Sequence, residues 1–354
     1  MPQPELRTHG FFSQRPGSTE QTTAPTPAPD AHASAYDRLR LLAIFSTVVH
    51  AGSCVAMIVG VSVRMQGGAP QFGVARVGRV ASCWGGFEED STSLLKDIAY
   101  RSITNELSTS RGLDRHVTIA VLLVTFFFLS AVFQALFLAS SDHRQSILLN
   151  RPQWFRFSEY ALSAGCMIVA IFIAFGMLDM YLHATAFVLT LLCMLTGLAA
   201  DFSRDLSLSA DAGEALKRRL RGLALALHYL AWIPMMVVWA VLWAVVVDMA
   251  NGQDVCRQPN GNALPAWVWA VLVVQFLLFV SFGYVQLLQF SRQFDIDIVR
   301  RFVRTGPHET FLALNPSYDP AAVGILTEQG FLCLSLVAKS VLGWIVYSEV
   351  LVFL

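Results

Sequence analysis

The chain has 354 residues, of which 55% are hydrophobic and 14% charged, with a mean hydropathy of +0.53. That is too little charge to cover a soluble domain of this size. Its 25 basic and 25 acidic residues cancel, which removes the electrostatic basis for a nucleic-acid partner.

Residues 1–35 set Pro2, Pro4, Pro16, Pro25, Pro27 and Pro29 among Ser, Thr, Ala and Gln, without an apolar segment of the signal-peptide kind. They read as a disordered tail ahead of one membrane domain over 36–354, and insertion is expected to rely on the first span. A membrane-crossing helix needs roughly 20 apolar residues. The qualifying runs are about 39–63, 116–140, 154–178, 182–200, 222–248, 265–290 and 322–353. They are continuously apolar rather than alternating, so an all-α bundle of seven spans is predicted and a barrel is not.

The first span contains His50. The long loop over 64–115 that follows holds a possible short hairpin at 71–85 and an amphipathic helix at 92–108. Gln134 lies in the second span, Glu159 and Ser163 in the third, and Pro234 in the fifth, where it predicts a kink. The seventh carries Ser335 and Lys339.

Charge fixes an expected orientation. Connections on one side hold Arg144, Arg151, Arg156, Arg204, Lys217, Arg218, Arg219, Arg221, Arg292, Arg300, Arg301 and Arg304, whereas the short connections opposite hold Arg257 alone. The N-terminus is therefore expected in the cytoplasm and the C-terminus outside. Cys83 and Cys256 then both face an oxidising compartment, and a disulfide between them is expected, against the alternative of two free thiols. Cys54, Cys166, Cys193 and Cys333 fall within spans and read as packing residues.

Ionisable groups inside spans are the strongest functional pointers. A lysine at a helix centre costs about 2.5–3.5 kcal/mol on insertion scales. Lys339 stands far from either end of its span, so snorkelling relieves only part of that cost. It needs a counter-charge, deprotonation or chemical conversion, and Glu159 is the candidate partner. Two readings stand: a functional pair, or an ion pair that locks two helices. Ser163 at i+4 from Glu159, and Ser335 at i−4 from Lys339, share the faces of those two groups.

A seven-span bundle with a mid-helix lysine in span seven and a carboxylate in span three resembles the retinal-binding rhodopsins. The segments WFRFSEYALSAG and LSLVAKS are similar to the third and seventh helices of the heliorhodopsins. The orientation read from charge matches that family, whose topology is inverted relative to ordinary microbial rhodopsins. The resemblance runs from about Tyr36 to Leu354 and leaves out the tail.

It implies that Lys339 carries all-trans retinal covalently, as a protonated Schiff base, with Glu159 as its sole carboxylate counterion. Ser335 stands where ordinary microbial rhodopsins have a second carboxylate. Ala170 stands three turns along from Glu159, where pumps of that class keep a donor carboxylate, so a simple pump relay is missing. His50 resembles a first-span histidine near the family's Schiff-base cavity. Gln134 occupies the place expected for a second cavity histidine, and an amide cannot titrate. Expected pocket walls are Tyr160, Met167, Trp232, Trp239, Phe276 and Phe279. His183 and His228 are expected near the membrane surfaces, and a homodimer is the family's expectation.

Two functions follow from the resemblance. One is a slow-cycling light sensor in the plasma membrane, read by a cytoplasmic partner. The other is a light-gated proton channel whose path includes Glu159, His50, Glu328 and Glu349. A transporter lacks the paired internal repeat. An enzyme lacks a ligand cluster, a metal site or a nucleophile motif.

Overall fold

The computed structural model describes residues 32–66, 115–175, 177, 179–208, 213–251, 266–294 and 318–352. The expected hairpin, the amphipathic loop helix and the Cys83–Cys256 disulfide lie outside the described residues. Among those described there are eight α-helices: α1 (Ala33–Gln66), α2 (Arg115–Ala139), α3 (Ser141–Leu148), α4 (Trp154–Ala174), α5 (Met180–Leu206), α6 (Glu214–Asn251), α7 (Ala266–Gln293) and α8 (Pro320–Val346). A short π-helical turn, Tyr347–Val352, extends α8. All but α3 are long and apolar enough to cross a membrane, so this is an integral multi-pass membrane protein.

Most helices outrun the apolar segments that announce them. The fourth run, 182–200, becomes Met180–Leu206, and the fifth, 222–248, becomes Glu214–Asn251. α1 begins at Ala33, so the last residues assigned to the tail are helical. Caps set the ends instead. Asp179 accepts from the amides of Tyr181 (2.7 Å) and Leu182 (3.2 Å) to open α5. Asp319 does the same for Ala321 and Ala322 at the start of α8, with Pro320 in the first turn. α6 continues on both sides of Pro234.

The seven long helices close a ring in which each packs on its neighbours in chain order and α8 returns to α1. α4 is the innermost: 78% of its apolar window is buried, against 17–44% for the other spans. That explains why the two candidate residues of the third span, Glu159 and Ser163, point into protein rather than lipid. The largest core cluster draws on all seven long helices, around Phe126, Phe172 and Trp239. At one end of the bundle, α3 lies against α8. A Cβ on Gly324 would come within 2.0 Å of the Ile147 carbonyl oxygen, so this approach requires glycine.

Candidate functional site

Lys339 and Glu159 meet in the bundle interior. Lys339 Nζ donates to Glu159 Oε1 at 2.5 Å, and the two side chains are 3% and 7% exposed. The Nζ also stands 5.3 Å from the centre of the Tyr160 ring, a cation–π contact that adds a second electron-rich neighbour to the amine. The Tyr160 hydroxyl donates to the carbonyl of Phe331 on α8 (3.0 Å), which ties α4 to α8 beside the pair.

A slot opens alongside, lined by Tyr160, Ser163, Ala164, Met167, Met194, Phe279, Phe282, Ser335, Ala338 and Lys339. Its walls are aromatic, thioether and small, and Lys339 is among them. That is the lining suited to an apolar polyene with a single reactive terminus. The buried Ser163 hydroxyl has no hydrogen-bond partner. The donor set therefore fits a retinal aldehyde: one buried amine, one carboxylate and spare hydroxyl capacity.

Of the expected walls, Tyr160, Met167 and Phe279 line the slot. Trp239 stands behind it, edge-on to Phe279 (5.5 Å) and to Phe276 (5.4 Å). Phe276 is held off the lining between Trp239 and Trp243. Trp232 packs across Gly283 and donates to His228 (3.4 Å), so it belongs to another layer of the bundle. Ala164, Met194, Phe282 and Ala338 complete the slot and gave no polar signal in the sequence.

His50 is fully buried on α1, its Nδ1 3.2 Å from Gln134 Oε1 and 3.4 Å from Ser46 Oγ. His50 Nε2, Gln134 Nε2 and Ser130 Oγ have no hydrogen-bond partner, which marks a polar shelf within the α1–α2 interface. The Phe127 ring lies 5.9 Å from His50 and packs against Gly343, one turn past Lys339. Ala170 is fully buried.

A second ionic assembly, not foreseen from the sequence, sits toward the α3 end. Arg156, Asp201, Arg204 and Glu328 are each no more than 5% exposed. Arg156 pairs with Glu328, and its Nη2 stands 3.5 Å from Asp201 Oδ2. Arg204 uses all of its nitrogens: Nε to Asp201 (2.8 Å), Nη1 to Gln293 (2.7 Å) and Nη2 to the Asn150 carbonyl (2.8 Å). Asn150, in the left-handed region at φ 49°, also donates to Tyr318 and accepts from Gln289, each at 2.7 Å. Arg156 and Arg204 are therefore not loop charges, and Glu328 is not at a wetted helix end. Asp201 and Arg204, spaced i,i+3 within a helix that outlasts its apolar run, were the available signal.

His228 is likewise buried, 3.1 Å from Gln286. His183 is partly buried and binds the Met177 carbonyl at 2.9 Å. Cys54 is buried, Cys166 and Cys193 are partly so, and Cys333 is exposed. Glu349 is half-buried in the π-helical turn.

No curated protein matches the chain. A family model for heliorhodopsins matches residues 98–297, more than half of its length. Glu159 falls inside that match and Lys339 outside it, so the pairing of the two rests on the packing of α4 against α8. The chain belongs to the heliorhodopsin family of retinal photoreceptor proteins.

Proposed function

We propose that this protein is a light sensor that holds all-trans retinal on Lys339 as a protonated Schiff base, with Glu159 as the only counterion. The observation that supports this most is the buried Lys339–Glu159 pair beside an apolar, aromatic slot that Lys339 helps to line. A buried amine with a single anionic partner is a costly arrangement, and one retained at a reactive site gives it a use. When bound, retinal supplies visible absorption and light-driven isomerisation.

The chain's own residues do the rest. Glu159 compensates the positive charge at the nitrogen of Lys339. Tyr160, Met167, Phe279 and Phe282 shape the slot, and Ser163 and Ser335 offer hydroxyls beside the nitrogen. His50 with Gln134 forms a nearby polar shelf able to receive a proton or order water. Ala170 leaves no donor carboxylate on α4, which supports a slow cycle over a pump. The excess of basic residues in one set of connections supports an N-terminus in the cytoplasm; the host membrane is the plasma membrane, and a homodimer in the bilayer signals to a cytoplasmic partner.

A light-gated proton channel is the alternative. The closed ion pair of Arg156 with Glu328 weighs against a continuous path along α8. Purified protein mixed with all-trans retinal is expected to develop a visible band that Lys339→Ala lacks, and no band in the wild type contradicts the reading. Photocurrents at clamped voltage in illuminated cells would favour the channel over the sensor.

A further inference from the structure

Gln275 is the one strongly polar side chain in the first three turns of α7, within AWVWAVLVVQFLLFV, and it is fully buried. A buried amide without a partner costs about 1–3 kcal/mol in proteins, so its hydrogen bonds identify its purpose. Its Nε2 donates at 2.9 Å to the carbonyl of Ala338, the residue immediately before Lys339. Because the acceptor is a carbonyl, the amide orientation is fixed: the flipped rotamer would set oxygen against oxygen. Its Oε1 has no partner, so the Ala338 contact is the bond that holds the side chain.

The acceptor lies within the continuous helix α8, so this bond is additional to the helical ladder. It pins the peptide that leads into Lys339. Phe279 and Phe282 follow Gln275 at i+4 and i+7, on the same face of α7, and both line the slot. One helix face therefore grips the backbone of the lysine-bearing turn and supplies the aromatic wall beside it.

We infer that Gln275 is a positioning residue: it sets where the Lys339 nitrogen stands relative to the wall that Phe279 and Phe282 form. This rests on the retinal reading above. It differs from a general helix–helix tie, for which the same helix supplies a comparison. Gln286 Nε2 donates to the Gly197 carbonyl, also at 2.9 Å, far from the lysine.

The test uses the full chain loaded with all-trans retinal, comparing wild type, Gln275→Met and Gln286→Met. Met keeps the length of the side chain and removes the donor. Gln275→Met is expected to shift the absorption maximum and to speed dark bleaching by hydroxylamine about fivefold, the factor matching a net bond of roughly 1 kcal/mol. Gln286→Met is expected to lower the melting temperature and leave both optical readings at wild-type values. Where Gln275→Met is not recovered folded, Gln275→Asn replaces it; its amide is one methylene short of the carbonyl, and the same acceleration is expected. A Gln275 variant with wild-type maximum and bleaching rate, or a Gln286→Met variant shifted equally, overturns the assignment while leaving the retinal reading intact. A wild type that forms no visible band overturns both.

Discussion

The Lys339–Glu159 pair and the Arg156–Asp201–Arg204–Glu328 cluster are both buried, both ionic and both bridge α4 and α8, yet they are built differently. Arg156 and Glu159 are one turn apart on α4, and Glu328 and Lys339 are about 16 Å apart along α8 at 1.5 Å per residue. The pair consists of one hydrogen bond between two groups, with an unpartnered serine beside it. In the cluster, Arg204 alone makes three bonds, and Asn150 and Gln293 extend it to α7 and the α3–α4 connection.

Burying charge is costly in both places, because desolvation offsets most of the Coulombic attraction. The difference lies in what the surroundings allow. A guanidinium held on three sides has one low-energy arrangement and acts as a lock. An amine with one partner and an adjoining slot can change partner or bond. Tyr160 and Phe331 stand between the two regions: Phe331 receives the Tyr160 hydroxyl on its carbonyl and the Arg156 guanidinium on its ring, 4.1 Å from the centroid.

Breaking the lock gives the largest expected effect. Arg204→Met leaves Asp201 buried without its closest cation and should cost about 3–5 kcal/mol of stability. The melting temperature in detergent would fall steeply, while the protein that does fold keeps its visible band in place. Glu159→Gln should do the reverse. It keeps the shape and removes the charge facing Lys339, so the band leaves its wild-type position. The stability loss should be smaller than for Arg204→Met, because Glu159→Gln touches one hydrogen bond whereas Arg204→Met removes three. A band unmoved in Glu159→Gln would erase the distinction between the two regions.

A smaller effect comes from His143 on α3, outside the spans. Its ring is packed against Phe137 (4.3 Å) and Phe155 (5.5 Å). Burial first, and the nearby Arg156 charge second, lower its pKa from 6.5 to about 4. The folded state therefore binds this proton less readily than the unfolded state does. Its contribution to stability is complete above pH 6.5 and is lost as pH falls toward 4. Melting temperatures across that window should decline in the wild type and decline less in His143→Phe. Equal declines would remove His143 from the account.

Much of the fold was legible because membrane insertion demands long apolar runs, and all seven became helices. The helix ends were not, since a helix continues wherever caps and buried partners satisfy it, whatever the hydropathy. Arg156 and Arg204 illustrate the error: counted as loop charges, they are interior ones, and only packing reveals the acids that meet them. Lys339 was legible through its insertion cost, and Glu159 as its candidate partner within segments that resemble the heliorhodopsins. Gln275 was not, because an amide carries no charge penalty and its acceptor is a backbone carbonyl. Trp232 was misplaced because aromatic residues in a bundle look alike until Gly283 shows which one a neighbouring helix admits.

The most direct test of the central claim is chemical trapping at Lys339. Protein loaded with retinal is reduced with borohydride, digested and mapped by mass spectrometry. A retinyl adduct is expected on the peptide containing Lys339, and none at that position in Lys339→Ala. An adduct on another lysine, or none in a protein that shows a visible band, would contradict it.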